Sequence, residues 1–462
     1  MTTVPEPATP EHGLPVRMRV IEDLGRNRLT VFFRFLLAIP HLVWLAIWTL
    51  GVVLVAIVAW FIVLFRGQLP DGLHRFFTMY IRYATHLNAY LNLAANPFPG
   101  FLGENGYEVD LEFDPPTPQN RWKTGFRIIL ALPALVLSGV LGGGASGGFT
   151  TGALSYGLQT TGVLTACAFL IWFYALVTGR APEGLARLQW YCLHYGAQAA
   201  AYILFVTDRY PTADPERIGV PWPAPPHPVR LTHEPDDGRR SRLTVFFRLL
   251  LAIPHFVWLT LWTIAALIAA IVNWLVTLVA GRSPELLHGF LAAYVRYQTH
   301  VLAYITLVAR PFPGFAGDED SYPVDVVIAG PERQNRWSAG FRLILAFPAF
   351  LLTSAISTAM YVGAVLGWFA ALFTGRMPDG LRRLGLFALR YNAQTTAYGY
   401  ALLTDRYPYA GPPADTLADG GGEPGFWPAL GAQRPEPEPT GFAEDDPRAG
   451  WVRPPFAPEQ GG

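Results

Sequence analysis

Long apolar runs alternate with short polar punctuation between residues 14 and 409, and the alternation repeats four times. In the first round a charge-free run from Phe35 to Phe65 ends at Arg66-Gly67. Leu69-Pro70-Asp71-Gly72-Leu73 follows, then a more mixed run carrying Arg82-Tyr83, His86 and Tyr90. The same order returns after Asn120-Arg121, Ser241-Arg242 and Asn335-Arg336. Matched units at this period mean one supersecondary module used repeatedly.

Each round predicts a strand and two helices. The openings Val16–Val20, Tyr107–Leu111, Val229–Leu231 and Val324–Val327 alternate apolar and polar residues with period two, the mark of a short strand. They either pair into a small sheet on one membrane face or stay as extended loop. The first helix carries Pro40, Pro133, Pro254 or Pro348 near its start, where a lost donor and a ring clash predict a kink. That leaves an interfacial segment followed by one tilted span, or a pair of half-helices. In the second unit the Gly142–Gly148 insert suits a break or a re-entrant loop. Glycine stops the first helix and a Pro-acid-Gly turn starts the second, over about residues 73–95, 185–207, 286–309 and 381–404.

The organisation read from these signals is an N-terminal tail 1–13, units at 14–106 and 107–211, a Pro-rich linker 212–226, units at 227–320 and 321–409, and a tail 410–462. Units one and three close on Pro-Phe-Pro-Gly, units two and four on Thr-Asp-Arg-Tyr-Pro, so the units form two tandem pairs. Both tails lack a core-forming pattern, and the Pro/Gly/Glu-rich C-terminal tail is expected to be disordered.

Composition sharpens this into a membrane protein. Apolar residues are 52% of the chain and charged residues 15%, well under the roughly 25% of soluble domains. Charge-free runs of this length read as spanning helices. The expected fold is therefore an all-α integral membrane protein of four strand–helix–helix repeats, with about eight transmembrane helices. Net charge is zero, which gives no field for nucleic acid. All basic residues but Lys123 are arginine, a bias that suits a bacterial genome rich in G and C. Cys167 and Cys192 sit in apolar surroundings without zinc-type spacing. The start lacks a signal-peptide pattern. With every strand on one side, arginine is denser there, and the positive-inside rule puts both termini in the cytoplasm of a multi-pass bacterial plasma-membrane protein.

The candidate chemistry lies on the second helices. Arg82, His86 and Tyr90 recur as His194, Gln198 and Tyr202, as Arg296, His300 and Tyr304, and as Arg390, Gln394 and Tyr398. Spacings of four and eight place each trio on one stripe. A cation in hydrocarbon costs at least about 2.5–3.5 kcal/mol, so these stripes face protein, water or headgroups. The apolar stretches hold no acid to pair with them. The stripes tie the two helices together through freed carbonyls, bind anionic lipid headgroups, or line a path for a small anion. Arg34, Arg127, Arg248 and Arg342, six residues before each proline, are expected to anchor at the interface by snorkelling to phosphates. No metal-ligand cluster, phosphate loop or nucleophile elbow is present, so no catalytic residue and no cofactor is assigned.

The elements Arg28 to Pro40 and Arg336 to Pro348, the Gly-Arg-x-Pro turns, Tyr322-Pro323-Val324 and the Thr-Asp-Arg-Tyr-Pro closures together resemble a bacterial membrane-protein family known as domain of unknown function 4389. The resemblance covers about residues 14–409, four times over, and implies membrane location and repeat architecture, with no activity to transfer. The reading is a non-enzymatic scaffold or anionic-lipid-interacting protein, or alternatively a transporter or channel for a small anion. Its expected partners are membrane lipids and not nucleic acid.

Overall fold

The computed structural model describes residues 13–21, 23–143, 162–219 and 225–412. Most of the insert in the second unit, part of the linker, the first twelve residues and the C-terminal tail beyond residue 412 lie outside the described residues.

The chain is mostly helical with two small sheets. The first unit holds strand β1 (Val16–Val20), α1 (Arg28–Arg66) and α2 (Asp71–Leu91); the second holds β2 (Val109–Phe113), α3 (Arg121–Gly125), α4 (Arg127–Gly142), α5 (Val163–Thr178) and α6 (Glu183–Ile203). A short α7 (Pro215–Ile218) sits where the sequence shows only a Pro-rich linker. The third unit comprises β3 (Val229–His233), α8 (Arg242–Leu251), α9 (Ile253–Ala280) and α10 (Glu285–Ile305). The fourth comprises β4 (Val324–Ile328), α11 (Arg336–Gly340), α12 (Arg342–Thr374) and α13 (Asp379–Gly399).

Local chemistry explains the boundaries. Asn27, Asn120 and Asn335 cap the first helices, each side-chain oxygen accepting from the amide two residues on. Gly67, Gly179, Gly281 and Gly375 end them in the left-handed conformation, with φ of 77°, 72°, 72° and 73°. Each second helix starts after a proline with an acid in its first turn, which suits the positive end of the helix dipole. The prolines act differently in different units. Pro40 and Pro348 are absorbed inside continuous helices, whereas Ala252 divides α8 from α9 just before Pro254.

The elements stack in three layers. The first-helix elements lie side by side, with α1 beside α5, α4 and α5 against α12, and α12 against α8. The second helices α2, α6, α10 and α13 pack beneath them, α2 on α6 and α10 on α13. The strands rest on the second helices: β2 on α2, β1 on α6, β4 on α10 and β3 on α13. The largest core cluster joins the second and fourth units, around Leu137, Cys167, Tyr191, Ile356 and Leu389.

Three expectations are corrected here. First, the strands form two separate antiparallel pairs, β1–β2 and β3–β4, and not one four-stranded sheet. Second, among the described residues only three helical stretches are long and apolar enough to cross a membrane, Arg28–Arg66, Arg242–Ala280 and Arg342–Thr374; eight spans are not found. The second helices fail because Arg, His and other polar residues recur through them, and they sit as the buried middle layer. Third, the units of a pair run antiparallel. Arg26 N donates to Gly179 O at 2.8 Å and Gln119 N to Gly67 O at 2.7 Å, so each first helix begins where its partner's ends. Arg240 with Gly375 and Gln334 with Gly281 repeat this at 2.8 Å each. The premise that all first helices begin on one side is thereby lost, and with it the arginine bias used for orientation.

Candidate functional site

The repeated polar residues resolve into two constellations, one at the end of each second helix and one at its middle. At the end, Arg34, Arg127, Arg248 and Arg342 do not point outward as anchors; each is no more than 2% exposed. Their guanidinium carbons lie 4.3, 4.6, 4.2 and 4.3 Å from the ring centres of Tyr90, Tyr202, Tyr304 and Tyr398. The tyrosine of every stripe is therefore the platform for the first-helix arginine of the same unit. Terminal nitrogens of each guanidinium donate to carbonyls freed at the helix end. Arg34 Nη1 donates to Tyr90 O and Ala95 O at 2.6 and 2.9 Å, Arg127 Nη1 to Tyr202 O and Thr207 O at 2.7 and 2.8 Å. Arg248 Nη2 donates to Ala309 O at 2.9 Å, and Arg342 Nη1 to Thr404 O at 2.8 Å. A helix C-terminus is the negative end of its dipole, so cations suit it.

The same turn holds backbone strain. Leu93, Phe205, Leu307 and Leu402 occupy the left-handed region with φ of 61–62° in the first three and 50° in the last. Bulky residues there cost roughly 1–3 kcal/mol each. Each strained carbonyl is gripped by a side chain preceding the first helix: Leu93 O by Arg26 at 2.7 Å, Phe205 O by Gln119, Leu307 O by Arg240 at 3.0 Å and Leu402 O by Gln334 at 2.6 Å. This turn ends the second helices at Leu91, Ile203, Ile305 and Gly399, a few residues before the sequence pattern predicts.

The two closures differ in how they balance charge. In the second and fourth units the Thr-Asp-Arg-Tyr-Pro aspartate pairs with the buried arginine, Asp208 with Arg127 at 2.8 Å and Asp405 with Arg342 at 2.7 Å. Gln119 Oε1 and Gln334 Oε1 accept from the same arginines at 2.9 and 3.0 Å. In the first and third units Phe98 and Phe312 instead stack edge-on against Tyr90 and Tyr304, both at 5.5 Å.

At mid-helix the counter-charge expected to be missing comes from a strand. Arg82 donates to Leu111 O and lies 3.1 Å from Asp110 Oδ1, which also accepts from His86 Nε2 at 3.1 Å. In the third unit Arg296 donates to Val326 O at 3.0 Å, and His300 Nε2 to Asp325 Oδ1 at 2.8 Å. Burial alone would raise the Asp110 carboxyl, but His86 and the amides of Gly106 and Leu111 outweigh it and hold it at about 2. Asp325 is lowered in the same way by His300 and the amides of Val326 and Asp320, against its burial. Beside Arg82 an open cleft of about 670 Å³ is lined by Arg19, Asn105, Glu108 and Glu112 among others.

The other two units fill the mid-helix position with backbone groups. His194 sits with Nδ1 at 2.8 Å from Ile218 O and Nε2 at 2.9 Å from Val16 O. Arg390 donates to Gly411 O at 2.6 Å. Gln198 Oε1 accepts from Thr212 N at 3.3 Å, while Gln394 donates to Val229 O at 3.1 Å and accepts from Tyr409 N at 3.1 Å. The four stripes thus serve four separate places, each engaged by the strand of the other unit in its pair or by the segment that follows its own helix. Asp110, Asp325, Asp208, Asp405 and the Gln119/Gln334 pair were not singled out from the sequence. One signal was available: glutamine before the capping asparagine occurs in the same units as Thr-Asp-Arg-Tyr-Pro.

Among the described residues no group of His, Cys, Asp and Glu has the makings of a metal site. The arrangement defines a repeat protein whose recurring polar residues lock helix ends and strands to a helical middle layer beneath a wide apolar face. The sequence profile described as Domain of unknown function (DUF4389) matches residues 28–102, 158–213, 242–315 and 336–410, and the chain belongs to that family. No curated protein and no solved structure matches the chain.

Proposed function

We propose that this protein is a non-enzymatic membrane scaffold of the bacterial plasma membrane that engages anionic lipid. One observation carries the reading. The outer surface of the first-helix layer is apolar along its whole length, through exposed residues such as Phe35, Ile47, Phe61, Phe173, Leu261 and Phe369. Soluble monomers rarely expose apolar patches beyond a few hundred Å². Exposed Arg28, Arg66, Arg121, Lys123, Arg242, Arg282 and Arg336 stand at the ends of these helices, placed to meet lipid phosphates. The N-terminal strand and the last described residues share the sheet layer, where Arg209 donates to Gly13 O at 2.8 Å and Arg390 holds Gly411. Both ends of the described residues then lie on one face, which we assign to the cytoplasm.

The test is binding of the full chain to vesicles of neutral phospholipid with and without 30% anionic phospholipid (about that fraction suffices to give a surface potential of tens of millivolts). The expected result is tighter binding to the anionic vesicles, weakened when Arg28, Arg121, Arg242 and Arg336 are changed together to Gln. Equal affinity for both vesicles overturns the headgroup preference. A path for a small anion is the second reading, favoured by the antiparallel pairing of units, an arrangement many transporters share. Against it stand the stripe residues, each engaged locally; anion flux into proteoliposomes separates the two.

A further inference from the structure

A section through the middle of α1 meets two kinds of surface at one level. On the outer side Ile47 and Leu50 are 59% and 65% exposed. Between them in the chain, Thr49 Oγ1 lies 2.8 Å from Tyr80 Oη on α2. Two residues along α2, Arg82 donates to Leu111 O on β2 at 2.9 Å. Leu111 pairs with Met18, and its neighbours in the register are Arg17 opposite Glu112 and Arg19 opposite Asp110. There the side chains of Arg19 and Glu112 are 69% and 53% exposed. The second half repeats the section: exposed Ile264 and Leu267, Thr263 Oγ1 at 3.0 Å from Tyr294 Oη, Arg296 on Val326 O, and exposed Arg230 opposite Val327.

A first helix that crossed a bilayer along its axis would carry this whole section to the bilayer centre. Arg17, Arg19 and Arg230 would then stand in hydrocarbon at roughly 2.5–3.5 kcal/mol each. Among the described residues each sheet has two strands, so every strand has an edge that no other described strand pairs. Open sheet edges are not tolerated in lipid. Length points the same way. Exposed apolar side chains run from Leu29 to Phe65 on one continuous helix. At 1.5 Å per residue that is about 54 Å, against about 30 Å of hydrocarbon. Basic residues also stand at both ends of the layer, Arg28 and Arg180 at one, Arg66, Arg121 and Lys123 at the other.

We infer that the protein lies in the plane of the membrane: the first-helix layer is sunk among the acyl chains of a single leaflet, the second helices lie at headgroup level, and both sheets stand in water. This placement rests on the lipid-binding reading above and adds its geometry. It puts every exposed basic helix end at one phosphate surface. It gives the four buried arginines a purpose, since they fasten the lipid-sunk layer to the polar layer beneath it. It keeps Arg17, Arg19, Glu112 and Arg230 in water without any further partner. An amphipathic element in this position is buried about 5–10 Å into the headgroup–acyl boundary.

Nitroxide labels read the depth directly. Single cysteines replace exposed residues in the full chain (L29C, L50C, F65C, I264C on the helices; E112C, R230C on the sheets), leaving the buried Cys167 and Cys192 in place. Each labelled protein is reconstituted in phosphatidylglycerol–phosphatidylethanolamine vesicles, and its relaxation is measured with oxygen and with a water-soluble nickel chelate. The expected result is one shallow depth for all four helix labels, within about 10 Å of the phosphates, with both sheet labels open to the chelate. A profile with Leu50 at the midplane and Phe65 reached only by chelate trapped inside the vesicle overturns the in-plane placement while leaving lipid binding intact. Helix labels that all meet the chelate and show no excess oxygen exposure overturn both.

Discussion

Arg127 and Asp208 form an ion pair at 2.8 Å in which the arginine is wholly buried, and Arg342 and Asp405 repeat it at 2.7 Å. The pair sits where a second helix ends, so the charge also meets two helix-end carbonyls and a glutamine. Removing one member of a buried pair costs about 3–5 kcal/mol, because the other charge stays behind. Arg127→Ala should lower the melting temperature sharply in detergent micelles, and Arg127→Lys should rescue little, since an ammonium cannot serve four acceptors in a fork. Breaking the exposed Arg17–Asp114 contact, also 2.7 Å long, should cost under about 1 kcal/mol. Equal losses from Asp208→Asn and Asp114→Asn would refute this ranking.

Acid should loosen the sheets before the helices. Asp110 is held at about 2 in the fold, below the ordinary 3.8, so its stabilisation is complete above about pH 4 and fades as pH falls through about 2. The amount is about 2 kcal/mol. Unfolding followed by tyrosine and tryptophan fluorescence between pH 5 and 2 should show this loss, and Asp110→Asn should flatten it. An unchanged acid limb in the variant would contradict the assignment.

Asp214 should behave in the opposite sense. It caps α7 through the Glu216 amide at 3.0 Å and lies 3.4 Å from Arg383 Nε. Burial raises its carboxyl to about 6; Arg383 opposes this and Asp379 adds to it. A folded value above the unfolded one means the ionised form is a burden at neutral pH, relieved as pH falls from about 6 to about 4. Asp214→Asn keeps a good cap and should stabilise the protein at pH 8 by up to about 3 kcal/mol, with little change at pH 4. A variant less stable than the parent at pH 8 would show that the ion pair with Arg383 dominates.

The connectors that follow α2 and α10 give a steric prediction. Gly103 and Gly317 are left-handed, with φ of 66° and 65°, and a Cβ on either would strike the carbonyl of Met79 or Ala293. Gly103→Ala should therefore cost more than the 1 kcal/mol or so typical of an ordinary Gly→Ala change at positive φ. Gly100→Ala, with open space around it, should cost little. Thermal melting of both variants decides the matter.

Much of the fold is legible in the chain, for identifiable reasons. The capping asparagines, terminal glycines and Pro-acid turns are local signals, and they mark helix boundaries within a few residues. Period two marks all four strands. What is not legible depends on the path of the connectors. Nothing periodic in residues 92–120 says that the chain returns alongside α2, which is what inverts the second unit and brings Asp110 to Arg82. The strained Leu93 and its three counterparts carry no sequence mark either, because leucine and phenylalanine, not glycine, adopt the left-handed turn there. Apolar content alone could not tell lipid contact from burial: the second helices are buried by neighbours, and the first-helix layer is left bare.

The most direct measurement of the central claim is fractionation of bacterial cells expressing the full chain, followed by alkaline carbonate washing of the membranes. If the bare face of the first-helix layer is covered by lipid, the protein stays with the washed pellet and leaves it only in detergent. Recovery of folded protein in the soluble fraction, without detergent, would contradict the account.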